Sequence, residues 1–138
     1  MAVVEELLRT EESGALSFGN YKLDAKAKVD NYEHGGDLYK VKTYKELTKL
    51  EKNGMFAYES QPGTSVTSFQ ETEDGVTFTV EADEDAQITV GLEEDAEYSV
   101  TVGDVNIGKM KTNLGGKLSV SVELENAGEI TVKIAKNG

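Results

Sequence analysis

The chain has 138 residues, of which 38% are hydrophobic and 29% charged. That size and apolarity suit a packed core and exclude a disordered chain. There is no cysteine, which excludes disulfides and thiolate metal sites, and 26 acids against 14 bases set a net charge of −12, which repels nucleic-acid phosphates and anionic membranes.

From Met1 to Leu8 the chain carries acids where a secretory signal carries positive charge, and its apolar run is too short for a signal core. No 18 consecutive apolar residues occur anywhere, so the expectation is a cytoplasmic protein without a membrane partner. The runs Val3–Arg9 and Ala15–Leu23 flank the segment from Thr10 to Gly14 and predict a hairpin. Gly35 and Gly36 separate Lys28–Glu33 from Leu38–Tyr44 and predict a second. Tyr44–Lys52 reads equally as a strand or a short helix, because Leu47 and Leu50 are three apart among lysines. Asn53-Gly54 then gives a strong short-range hairpin signal before Met55–Glu59. Gln61, Pro62 and Gly63 mark the expected junction between a unit over 1–62 and a unit over 63–138.

Beyond that junction, apolar residues alternate with polar ones. The inward sets are Val76, Phe78, Val80; Ile88, Val90, Leu92; Tyr98, Val100, Val102; Leu118, Val120, Val122, Leu124; and Ile130, Val132, Ile134. A period of two puts one face inward and the other outward, and β-branched and aromatic residues suit such half-buried strands. Val105, Ile107 and Met110 follow the same pattern with a slip at Gly108. Asp74-Gly75, Gly103-Asp104, Gly115-Gly116 and the segment from Asn126 to Gly128 supply the turns. The predicted fold class is all-β. An antiparallel β-sandwich, Ig-like or jelly-roll-like, forms the C-terminal half, preceded by a smaller hairpin-rich β unit. Whether the two units share a core is open at this point.

The residue inventory is poor in chemistry. His34 is the one histidine; Glu33 and Asp37 beside it do not make up a zinc ligand set, so neither metal nor cofactor is expected. The acidic turns Asp83–Asp85 and Glu93–Asp95 lack the spacing of a calcium loop. No serine sits in a nucleophile elbow and no phosphate-binding glycine motif occurs. A glycosidase needs two facing carboxylates, one buried, whereas these acids cluster in turns and on outward strand positions. Arg9 is the single arginine, a thin basis for recognising a carboxylate substrate. Tyr21, Tyr32, Tyr39, Tyr44, Tyr58 and Tyr98 offer rings either to a glycan or to the core; Tyr98 shares the inward phase of Val100 and Val102.

The segments Gly36–Thr64 and Gly108–Leu124 give the chain a resemblance, along its full length, to a family of short bacterial proteins that carry the label endosialidase. That resemblance implies cleavage of polysialic acid, yet no catalytic motif of the phage tailspike enzymes maps onto a residue of this sequence. Tyr98–Val122 also looks like the Ig-like modules attached to surface proteins and glycosidases.

Charge is divided along the chain. Residues 1–62 hold 11 acids and 9 bases, residues 63–138 hold 15 acids and 5 bases, and no base lies between Lys52 and Lys109. This division predicts a non-enzymatic interaction protein that self-associates into an oligomer or filament. The expected contacts set Lys40, Lys42, Lys45 and Lys49 of one copy against Asp83, Glu84, Glu93 and Glu94 of another. A carbohydrate-binding module is the alternative expectation, and a glycosidase the third.

Overall fold

The computed structural model describes residues 3–136, so Met1 and Ala2 of the N-terminal stretch lie outside the described residues. Thirteen strands form two antiparallel sheets that pack face to face, with no helix among the described residues. The strands are β1 (Leu8–Thr10), β2 (Leu16–Phe18), β3 (Ala27–His34), β4 (Asp37–Tyr44), β5 (Leu47–Lys52), β6 (Met55–Gln61) and β7 (Ser65–Thr72). They continue with β8 (Gly75–Glu81), β9 (Ala86–Gly91), β10 (Glu97–Val102), β11 (Val105–Lys111), β12 (Lys117–Val122) and β13 (Ile130–Lys136).

One sheet has the order β1-β2-β7-β8-β13-β10-β11, and the other β12-β9-β6-β5-β4-β3. The all-β, sandwich-like fold expected from the alternating runs is therefore present. Both sheets also run across the 61–63 junction: β2 pairs with β7, and β6 with β9. The residues of 1–62 extend both sheets of the sandwich and bury their apolar faces in the same core. The two parts of the chain therefore share one core.

The expected hairpins form where their turn residues demand. Asn53 and Gly54 both take positive φ (53° and 79°), as a tight turn between twisted strands requires. The segment at 44–52 is strand, not helix. Lys45 and Glu46 make a two-residue turn, Tyr44 pairs with Leu47, and Thr48 and Leu50 point into the core. The edge of β4 is thus matched to β5, which satisfies backbone groups that a single helical turn would leave open.

The core carries a buried polar network at one end. The Thr48 hydroxyl donates to the Thr64 carbonyl (2.8 Å) and accepts from the Thr64 amide (3.0 Å). It also meets the Thr43 hydroxyl at 2.9 Å, which accepts from the Asn20 amide. The Thr64 hydroxyl in turn meets those of Tyr58 (2.8 Å) and Ser60 (2.9 Å). Every member is shut off from water, so each polar group depends on its neighbours. Burial drives the Tyr58 phenol far above its ordinary pKa, so it stays neutral and acts as a hydrogen-bonding group. Gly63 lies so close to β4 that a methyl group there would overlap the Tyr44 carbonyl oxygen.

Thr48→Val removes the hydroxyl and leaves both backbone groups of Thr64 buried without that partner. The expected cost is about 2–3 kcal/mol, read from urea unfolding. Thr67→Val, at a half-buried position outside the network, is expected to change stability by less than about 0.5 kcal/mol. Equal effects from the two would contradict the role given to the network.

Candidate functional site

The sheet containing β3–β6 turns a row of charged side chains outward. Strand register places Lys28 opposite Lys42, Lys42 opposite Lys49, and Lys49 opposite Glu59. Lys40 stands two residues along the same face of β4 and opposite Glu51. Like charges directly opposed on neighbouring strands repel, so this row is a local concession by the sheet. Three of the four lysines expected to take part in association, Lys40, Lys42 and Lys49, are therefore neighbours on one face. Lys45 is apart from them, in the β4–β5 turn.

The acidic partners are not brought together. Asp83 and Glu84 precede β9, whereas Glu93 and Glu94 follow it, so a strand of about 20 Å separates the pairs. Several of the candidates are engaged within the chain. Asp83 accepts from Lys22 at 3.0 Å, Glu93 from Lys136, Lys40 lies 3.8 Å from Asp30, Lys45 3.8 Å from Asp24, and Lys49 3.8 Å from Glu51. Such exposed pairs each contribute between nothing and about 1 kcal/mol and are easily exchanged for other partners. Among the described residues, Lys42, Glu84 and Glu94 make no ion pair.

The residues weighed for chemistry take other roles. Arg9 is held by Glu11, through Nε at 3.1 Å and Nη2 at 2.9 Å, and reaches Glu6 at 3.5 Å. Glu11 also accepts from the buried Ser17 hydroxyl, which accepts from the Ser68 amide at 3.2 Å. His34 meets the Thr10 hydroxyl through Nδ1 at 2.9 Å and packs edge-on against Tyr39, while Asp37 accepts from Asn53. No cluster of three or more metal-ligating side chains occurs among the described residues. No Asp or Glu is among the buried residues either. Tyr21, Tyr39, Tyr58 and Tyr98 lie in the core, and Tyr32 and Tyr44 are half-buried, so the tyrosines form no exposed row.

The two flanks of the sandwich differ. On one flank β1 and β3 are tied together, because the Thr10 hydroxyl bonds both the Tyr32 hydroxyl (3.1 Å) and His34. On the other flank β11 and β12 are the edge strands of the two sheets, with an open cleft of about 420 Å³ between them. Val102, Val105, Ile107 and Ile130 give that cleft its apolar lining, and Asp104, Ser121 and Glu123 border it. Val105 is 65% exposed and Ile107 46%. The strand pattern places both facing inward, but β11 is an edge strand with a bulge opposite Val100 and Thr101, and both side chains stay exposed at the cleft. Sequence reasoning missed this cleft. Its one visible signal is the slip of the alternation at Gly108.

Glu11 supplies a pH test. The hydrogen bond from Ser17, then that from Arg9, hold its carboxyl below the ordinary glutamate range. A carboxyl whose folded pKa is depressed stabilises the fold above its unfolded pKa, and that contribution is lost as pH falls through the folded value. Glu11→Gln is expected to lower stability by about 1 kcal/mol at neutral pH. The difference from the parent should shrink as pH falls from the ordinary glutamate value of about 4.3 and vanish below the depressed folded value, measured by urea unfolding at several pH values.

No protein-family model matches this chain, and no curated protein or solved structure matches it either.

Proposed function

We propose that this protein works as a non-enzymatic structural and interaction module, and that its principal partner is another copy of itself. The observation that carries this reading is the asymmetry of the flanks. One is bridged by Thr10, Tyr32 and His34, whereas the other exposes Val105 and Ile107 beside the edge strands β11 and β12. Unpaired edges present rows of free amide and carbonyl groups, and exposed apolar side chains next to them favour a protein partner over water. The lysine row on the β3–β6 sheet supports the same reading. In a chain of net charge −12 it is an isolated basic face, and acidic turns of a neighbouring copy complement it.

Cytoplasmic location accords with this role, and no helix among the described residues is long and apolar enough to cross a membrane.

Size-exclusion chromatography with light scattering tests the proposal. The expected mass exceeds the 15.0 kDa of one chain and rises with concentration. Salt near 1 M shortens the screening length to about 3 Å, so contacts between lysines and acids should weaken while association through backbone and apolar surface persists. A strict monomer at every concentration and salt level would remove the proposal.

A further inference from the structure

Four strands form the edges of the two sheets, and three of them are blunted. β1 is only three residues long. β3 carries Lys28, Asp30 and Glu33 and bulges between Val29 and Tyr32, with Asn31 at positive φ. β11 bulges at Ile107 and Gly108 and ends in Lys109 and Lys111. Short length, charge and bulges are the devices by which sheets avoid edge-to-edge pairing. β12 is neither short nor bulged, and its one charged residue, Lys117, stands at its start. It is six residues of unbroken register against β9, and between Lys117 and Glu123 it bears no charge.

The free side of β12 can be read from its start. The Lys117 amide donates to the Asn113 side chain, and its carbonyl accepts from the Asn113 amide, so both are turned away from β9. Backbone direction alternates along an antiparallel strand, so the amides and carbonyls of Ser119 and Ser121 are turned the same way, outward from the sheet.

The segment 117–123 is also complementary to itself when reversed. We propose that β12 pairs antiparallel with β12 of a second copy about a two-fold axis at Val120, a surface that rests on the self-association reading above. In this register Leu118 of each copy lies opposite Val122 of the other and Ser119 opposite Ser121, while Lys117, whose backbone groups Asn113 already holds, flanks the paired segment with its side chain toward Glu123 of the other copy. Residues directly opposed must share a face of the joined sheet. This register meets that condition, because Leu118, Val120 and Val122 all point inward while Lys117, Ser119, Ser121 and Glu123 all point outward. The Ser119–Ser121 pairs exchange both backbone hydrogen bonds, using the groups that face outward. The terminal charges are available: among the described residues neither Lys117 nor Glu123 makes an ion pair, and the Lys117 ammonium rests over the Phe56 ring at 4.5 Å. Two six-stranded sheets thereby become one continuous sheet. The contact is isologous and closes on itself, so it makes a dimer and does not by itself propagate a filament.

Charge reversal tests the register without touching the core, since both side chains are exposed. Lys117→Glu and Glu123→Lys each replace two opposite-charge pairs with two like-charge pairs, and each is expected to raise the dimer dissociation constant about tenfold in sedimentation equilibrium. The double variant Lys117→Glu/Glu123→Lys restores the pairs with reversed sign, and is expected to return to within about threefold of the parent. Single variants that weaken the dimer without rescue in the double would overturn this register. An oligomer indifferent to both reversals would overturn this surface and leave self-association standing. A monomeric parent would remove both.

Discussion

Everything else in this fold hangs on Tyr58. It projects from β6 of one sheet and meets three rings of the other edge-on: Phe18 at 5.1 Å, Phe78 at 5.6 Å and Phe69 at 6.2 Å. Phe69 also packs on Phe18 and Phe78, which closes the group. Edge-to-face rings gain attraction beyond the area they bury. The group joins the two sheets and, because Phe18 and Tyr58 precede Pro62 while Phe69 and Phe78 follow it, it also joins the two parts of the chain. The Tyr58 hydroxyl then reaches Thr64 and ties the aromatic core to the threonine network at its end.

A sandwich held in this way has its faces and its interior decided, and only its edges are left to manage. Two sheets leave four edges. The chain ties β1 to β3 through side-chain hydrogen bonds and blunts β11 with a bulge. β12 keeps an edge of unbroken register, uncharged from Leu118 to Val122, beside an apolar cleft. Net charge of this size favours solubility and opposes unspecific association, so contact is confined to places where charge is locally absent or balanced. The Lys117–Glu123 segment is such a place.

Much of this was legible in the sequence, because period-two alternation and turn chemistry are local signals. Asn53-Gly54 and Gly103-Asp104 fall where the chain reverses, and Tyr98 is buried in phase with Val100. The turn at Lys45 and Glu46 carries neither glycine nor proline, so it was not visible, and the lysines around Leu47 and Leu50 imitated a helix. Tyr58 was hidden for a different reason: the register shift between Leu50 and Glu51 breaks the alternation on β6, where Ala57 and Tyr58 are both buried. Which strand lies at an edge is a property of the whole topology. Nothing local in Val105 and Ile107 says that they are exposed, and nothing in the acidic turns says that β9 holds them apart.

The most direct test of the account is hydrogen exchange along the four edge strands as a function of protein concentration. The outward amides of Ser119 and Ser121 are predicted to exchange freely when dilute and to gain protection as concentration rises, while those of β1, β3 and β11 stay unchanged. Protection gained at β3 or β11 instead, or exchange at β12 that ignores concentration, would contradict the claim that β12 is the edge left open for a partner.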